Sequence, residues 1–197
     1  MQSILTESDL YERLTHYQAI LEGHFHLSSC YHSDTYIQCA KLLCHPYEAQ
    51  NVATYLADLI NAYSCDFDVV VAPAMGGLII GHEVAKQFGV PFLFTERVDG
   101  KMQLRRGFEL TKGQKVLIVE DVITTGKSTQ ETIDVIESFH YQAKLIGVAS
   151  IIDRRIYQVD FGVPYYPGMR LDPKIYPPSI CPLCLEGKPL VKPGSRP

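Results

Sequence analysis

The chain has 197 residues, enough for one domain with a sizeable core, and a composition of 46% apolar and 20% charged residues is ordinary for a globular protein. Its net charge of −4 gives no basic face, which argues against nucleic acid as a partner. No apolar run reaches the ~18 residues of a membrane span, and MQSILTESDLYERL lacks the basic and long apolar regions of a secretory signal, so a cytoplasmic protein with no membrane partner is expected.

Residues 8–21 place Leu10, Leu14, Tyr17 and Leu21 at helical spacing, with Ser8 as the cap and Gly23 as the stop. HFHLSS and TYIQCA read as two short strands around the turn CYHSD. Pro46 then opens a helix to about Tyr63. Beyond it the pattern changes. DVVVAP (68–73), VPFLFTE (90–96), KVLIVED (115–121) and AKLIGVASIID (143–153) are nearly continuous apolar strands. GGLIIGHEVAKQFG (76–89) and GKSTQETIDVIESFH (126–140) read as helices between them, the first packing Leu78, Ile79, His82, Val84 and Ala85. Such alternation predicts an α/β fold with a parallel sheet covered on both faces. The final ~30 residues are proline-rich and read as an irregular tail.

The cysteines are Cys30, Cys39, Cys44, Cys65, Cys181 and Cys184, and this size and composition do not demand disulfides, so free thiols are expected. CPLC (181–184) has metal-ligand or redox spacing, but a zinc site needs about four ligands and no second pair is visible. It therefore reads as a turn in the tail. His24, His26 and His32 read as hairpin and surface packing.

The stretch KVLIVEDVITTGKST (115–129) carries the strongest chemistry. A nucleotide P-loop requires Gly four residues before Gly-Lys-Ser/Thr, and Asp121 stands there, so an ATP or GTP loop is excluded. What remains is a strand, the acids Glu120 and Asp121, the sequence Thr124-Thr125-Gly126-Lys127-Ser128, and a helix. Backbone N–H groups at a helix start bind phosphate, and ligands of open α/β sheets sit beyond the carboxyl ends of strands. A ligand with a phosphate on one side and a diol on the other satisfies both halves, as a phosphorylated ribose does.

VLIVEDVITTGKST resembles the signature of the type I phosphoribosyltransferases. GHFHLSSCYHSDTYIQCA (23–40), the stretch 72–108, Asp153-Arg154 and the closing CPLCLEGKPL resemble the orotate-specific branch of that family, so the likeness covers nearly the whole chain. It implies the type I fold: a central, mostly parallel sheet flanked by helices, with a small N-terminal hood. The single domain would divide into a helix and hood (1–45), an α/β core (46–168) and a tail (169–197).

It also implies site residues. Glu120 and Asp121 would hold the ribose hydroxyls of phosphoribosyl diphosphate (PRPP), residues Thr124, Thr125, Gly126, Lys127 and Ser128 its 5′-phosphate, and the main chain at Met75 and Gly76 its diphosphate, with Val122 and Ile123 completing the PRPP contacts. Orotate would rest against Thr124, Arg154 and Tyr36, with Arg155 left at the surface. The loop 97–107 would close over the site, of the neighbouring subunit in a homodimer, and offer Arg97 to bind PRPP and Lys101, Arg105 and Arg106 as catalytic cations beside the catalytic acids Asp121 and Glu120. Mg²⁺ would be bound mainly through PRPP, with no dedicated protein metal site.

Against the family's usual pattern, Ser28 and Gly76 stand where lysines are common, Cys30 where glycine shapes the hood turn, and Lys127 where glycine is frequent. Cys30 therefore suggests a different turn, and Lys127 should point outward. Two alternatives remain at the level of the residues: a purine-salvage transferase, disfavoured because a purine has no carboxylate for Arg154, and a non-catalytic PRPP sensor, disfavoured because a sensor needs no closing lid.

Overall fold

The computed structural model describes residues 5–27, 29–138, 140–155 and 159–193; Ser28 lies outside them. Helix α1 is Glu7–His16, opened by a Thr6–Asp9 capping box and buried through Leu10 and Leu14. It is shorter than the predicted 8–21, because Ile20, Leu21 and Gly23 enter a strand. That strand, β1 (Ile20–His26), pairs antiparallel with β2 (His32–Ile37), and the turn falls at 27–31 rather than 30–34. Cys30 keeps a left-handed φ of 65°, so the turn conformation that favours glycine is retained with a side chain in place.

A single turn, α2 (Ala40–Leu43), leads to α3 (Pro46–Ala62), with Pro46 at the first helical position as expected. Next come β3 (Val69–Pro73), α4 (Gly77–Phe88) and β4 (Phe92–Val98). The α4 face is Gly77, Ile80, Gly81, Val84 and Ala85; Ile79 and His82 are exposed, correcting the predicted stripe. The cause is close helix–sheet approach: a Cβ on Gly81 would lie 2.9 Å from the Ala72 Cβ, so the helix rests on its glycines.

The polar stretch after β4 is no free loop. Its middle is β5 (Lys101–Leu104), which folds back antiparallel on β4 through a turn at Asp99 and Gly100. Then follow β6 (Lys115–Ile123), α5 (Lys127–Ile136) and β7 (Lys144–Asp153).

The tail is more ordered than its prolines suggest. Tyr165–Arg170 form β8, a sixth strand lying parallel to β7, with Pro167 tolerated because β8 is at the sheet edge. This strand runs across position 168, where the core was expected to end. Ile175–Tyr176 form β9 on the outer side of β2, and after the 3-10 turn Pro178–Ile180 comes the short helix α6 (Pro182–Leu185).

The main sheet has the order β5-β4-β3-β6-β7-β8, all parallel except β5, and the hood sheet is β1-β2-β9. Alternation along β6 sends Leu117 and Val119 into one core with α1, α3 and α4, and Val116 and Ile118 into a second core with α5. Both faces are thus covered, as the continuous apolar strands require. The chain leaves β3 toward β4 and returns on its other side as β6. The carboxyl ends of β3 and β6 therefore flank a switch point, where open α/β sheets bind ligands.

Candidate active site

The β6 strand buries its apolar residues on both faces and ends in the two acids. Glu120 is 6% exposed, and the Thr129 hydroxyl donates to its Oε1 at 3.1 Å. Burial raises its pKa first and the adjacent Asp121 charge second, to about 8. Asp121 is also raised by burial, while the Val122 N–H donates to its Oδ1 at 2.9 Å. Two neighbouring carboxyls this deep resist carrying two charges at once.

Past the acids the strand continues for two residues whose side chains pack inward, Ile123 fully and Val122 in part, so only their backbone faces the site. Thr124, Thr125, Lys127 and Ser128 are exposed, and Gly126 makes the bend into α5. Gly126 has a φ of 73°, and a Cβ there would meet Phe161 at 3.3 Å, so both the turn and the room demand glycine. The Thr125 hydroxyl caps the Lys127 N–H at 3.3 Å. The first turn of α5 supplies the remaining free N–H groups and the positive end of the helix dipole.

Across the switch point, the loop after β3 brings Gly76 against Asp121. A Cβ on Gly76 would lie 2.7 Å from the Asp121 carboxyl carbon, so any larger residue there would have to displace that carboxylate. Pro73, Ala74, Gly76 and the run Glu120–Thr129 line one cavity of about 230 Å³. This gathers ten of the expected PRPP contacts, Gly76 and residues 120–128, around one cavity; Met75 lies beside it, 80% exposed.

Other expected residues lie elsewhere. Arg97 pairs with Glu131 on α5, its Nη1 donating to Glu131 Oε1 at 3.2 Å and to the Gly100 carbonyl at 2.8 Å. Arg106 donates to Glu96 at 3.0 Å and lies over the Phe94 ring, and Arg105 is 3.7 Å from the same carboxylate. Lys101 lines a separate cavity with Glu131 and Tyr141. None of the four basic side chains lines the acid–phosphate cavity. Lys127 points outward as expected, 4.0 Å from Glu131.

Arg154 follows the end of β7, where its N–H bonds the Ile123 carbonyl at 2.8 Å and so sits next to the end of β6. Its guanidinium is half-buried; Nη2 reaches Ser33 Oγ on the hood at 3.4 Å, and Nε is buried with no hydrogen-bond partner. Burial lowers its pKa and the Asp34 charge opposes that. Arg155, expected at the surface, is instead an internal strut: it donates to Asp153 at 2.8 and 3.0 Å and stacks over Tyr165 at 4.4 Å. Tyr36 is half-exposed on β2, 3.5 Å from Gln38 and beside Phe25.

Sequence reasoning missed one cluster. His24 and His32 are buried rather than surface packing, and they meet Cys181 and Cys184, with one ligand atom of each within 4.8 Å of the others. The second ligand pair lies ~150 residues away from CPLC, where no local spacing reveals it.

Residues 39–161 match the phosphoribosyl transferase domain family. A curated orotate phosphoribosyltransferase from Caldanaerobacter subterraneus subsp. tengcongensis is 48% identical over 188 residues, 95% of each chain. Another from Carboxydothermus hydrogenoformans is 45% identical over 188 residues, 95% of this chain and 97% of that one. Among solved structures, the orotate phosphoribosyltransferase from Aeropyrum pernix superposes with a TM-score of 0.70 at 24% identity, covering 82% of this chain and 93% of that one. With the acid pair, glycine turn and helix start joined in one cavity at the switch point, this chain belongs to the phosphoribosyltransferase family.

Proposed function

We propose that the chain is an orotate phosphoribosyltransferase, a pentosyltransferase that converts orotate and PRPP to orotidine 5′-monophosphate and diphosphate in pyrimidine biosynthesis. The observation that carries this reading is the continuity of Glu120, Asp121 and the loop 124–128 in one cavity wall. The relatives at 45–48% identity carry the same name over 95% of this chain. The buried, unpartnered Nε of Arg154 beside the end of β6 favours an anionic base over a purine.

In this reading the α5 N-terminus and the hydroxyls of Thr124, Thr125 and Ser128 hold the 5′-phosphate. Glu120 and Asp121 accept hydrogen bonds from the ribose hydroxyls, which offsets the burial that disfavours their charged forms. As the C1–O bond to diphosphate lengthens, positive charge grows on the sugar, and the adjacent carboxylates stabilise it. Arg154 grips the orotate carboxylate and holds the ring nitrogen in line with C1. Mg²⁺ would be held mainly through PRPP oxygens, next to the carboxylates that hold the ribose, as a hard cation with oxygen ligands. When bound, Mg²⁺ neutralises charge on the leaving diphosphate.

The hairpin 97–107 serves as the lid. To act, Arg97 exchanges Glu131, and Arg105 and Arg106 exchange Glu96, for the diphosphate, with Lys101 carried along on β5, and Gly100, Gly107 and the turn at Asp99 give the segment its hinges. We further propose a homodimer in which this hairpin crosses to the neighbouring site, a single domain over 1–197, and a cytoplasmic location. Among the described residues no helix is long and apolar enough to cross a membrane.

The test is diphosphate release from PRPP and Mg²⁺ with orotate, uracil, hypoxanthine or adenine offered in turn. Orotate alone should support turnover. Use of a purine in preference to orotate would overturn the reading, and PRPP binding with no turnover of any base would point to the sensor.

A further inference from the structure

We infer that His24, His32, Cys181 and Cys184 form a tetrahedral site for one Zn²⁺ ion that fastens the tail to the hood. Among the described residues this is the one group of three or more ligating side chains whose donor atoms converge. His24 Nε2 and His32 Nδ1 are 3.0 Å apart. Cys181 Sγ lies 3.5 Å from His24 Nε2, and Cys184 Sγ lies 3.7 Å from His24 Nε2 and 3.3 Å from His32 Nδ1. Zn–N bonds of about 2.0–2.1 Å and Zn–S bonds of about 2.3 Å give tetrahedral edges of about 3.3 Å between nitrogens and about 3.6 Å between nitrogen and sulfur. These four edges fall around those values, and all of the donor atoms lie within 4.8 Å of one another.

The outer contacts fit as well. His24 Nδ1 is 2.9 Å from the Lys188 carbonyl, so that nitrogen carries the proton and Nε2 presents its lone pair to the cluster. The two imidazole planes cross at 66°, which converges their nitrogens rather than stacking the rings. A single proton shared between the imidazoles would account for one contact and leave both sulfurs aimed at the same point. A borderline-soft cation takes all four, and two thiolates with two imidazoles select zinc over harder ions. Three of the ligands are buried and Cys184 lies at the exposed edge, a closed arrangement with no position left for substrate.

The fold gives such a staple something to do. The tail also holds the hood through the two-residue strand β9, through Lys174, whose N–H donates to Asp34 Oδ1 at 3.0 Å, and through Val191, which exchanges backbone hydrogen bonds with His24 and His26 at 2.8 Å each. Leu183 is the one apolar side chain that α6 buries. His32 also precedes Ser33, the hood residue in contact with Arg154. The ion thus anchors the strand that borders the proposed base pocket, without belonging to that pocket.

The test is elemental analysis of the full chain purified without chelator, together with Co²⁺ loading. About one zinc per chain is expected, and Co²⁺ should give the visible bands of tetrahedral coordination with thiolate charge transfer. Cys184→Ser at the exposed edge and His24→Ala should each lower retained zinc by about tenfold or more, whereas Cys44→Ser, outside the cluster, should retain it. Because a substitution can unfold the tail, thiol titration of the unaltered protein provides a second readout: Cys181 and Cys184 should become reactive only when chelator is present. Two results would overturn the site: no zinc retained after incubation with excess Zn²⁺ and gel filtration, or a Cys181–Cys184 disulfide in its place. Neither readout depends on activity, so the site and the proposed reaction stand or fall separately.

Discussion

The two ligand-gathering regions of this molecule are built in opposite ways. The wall of the switch-point cavity is one unbroken run from Glu120 to Thr129, joined from β3 and the loop after it by Pro73, Ala74 and Gly76. The His/Cys cluster takes two residues from the first hairpin and two from the tail. A run can be recognised because strand, turn and helix each impose local residue choices. A cluster assembled across ~150 residues imposes none, since each ligand need only lie at the right end of its own element. Their energetic roles differ too. The first region holds two carboxyls in a buried position that weakens the empty protein, whereas the second cross-links distant segments.

The sharpest way to break this contrast is Asp121→Asn. It should lower kcat by about 10²–10³-fold, the scale of losing one preorganised electrostatic group, while leaving the zinc content unchanged and the free protein no less stable to heat. A steady-state assay beside a thermal melt checks both halves; loss of zinc along with activity would mean the two regions are not separate.

The next effect concerns stability. The Glu120 carboxyl has a folded pKa of about 8 against an ordinary value of 4.5, so the native state binds the extra proton between those pH values. Its contribution to stability is therefore intact below pH ~4.5 and is lost as pH rises through ~8, by on the order of a few kcal/mol. Glu120→Gln should flatten that slope and leave the free protein more stable than the parent at pH ~9, as read from denaturant midpoints. An unchanged slope would place the titration elsewhere.

Arg154→Ala should raise the orotate KM by about 10–100-fold, the loss of one or two charge-assisted hydrogen bonds, and change the PRPP KM far less. Equal changes in both would move the base pocket away from the hood. The smallest effect belongs to the hood turn. Cys30→Gly relieves a left-handed φ of 65° but frees the unfolded chain, for a net gain of about 0.5–1 kcal/mol and a Tm rise of about 1–4 °C. Turnover should not follow it; a change in kcat would show that the hood turn is coupled to the acids.

The sequence by itself determined the layered α/β core, because strands such as VLIV and VVVAP are apolar at every position and only a doubly covered sheet buries both faces. It also determined that the acid pair and the loop 124–128 share one cavity, since their order along the chain is their order in its wall. It misjudged what depends on partners far along the chain. Leu21 follows helical spacing but pairs with Tyr36 as a strand, because a sheet partner outweighs weak local propensity. Prolines 164 and 167 suggest loop, yet β8 forms because an edge strand needs its N–H groups on one side only. The stretch 97–107 reads as polar for its basic residues and glycines, yet Met102 and Leu104 alternate into the interior once β5 pairs with β4, while Arg97 and Arg106 reach Glu131 and Glu96. Only the tertiary structure decided that Arg155 is a strut while Arg154 is left with an unmet donor, and that CPLC faces two buried imidazoles. Side chains at neighbouring positions can have opposite fates, and distant ones a common fate, because burial and coordination are properties of where elements pack.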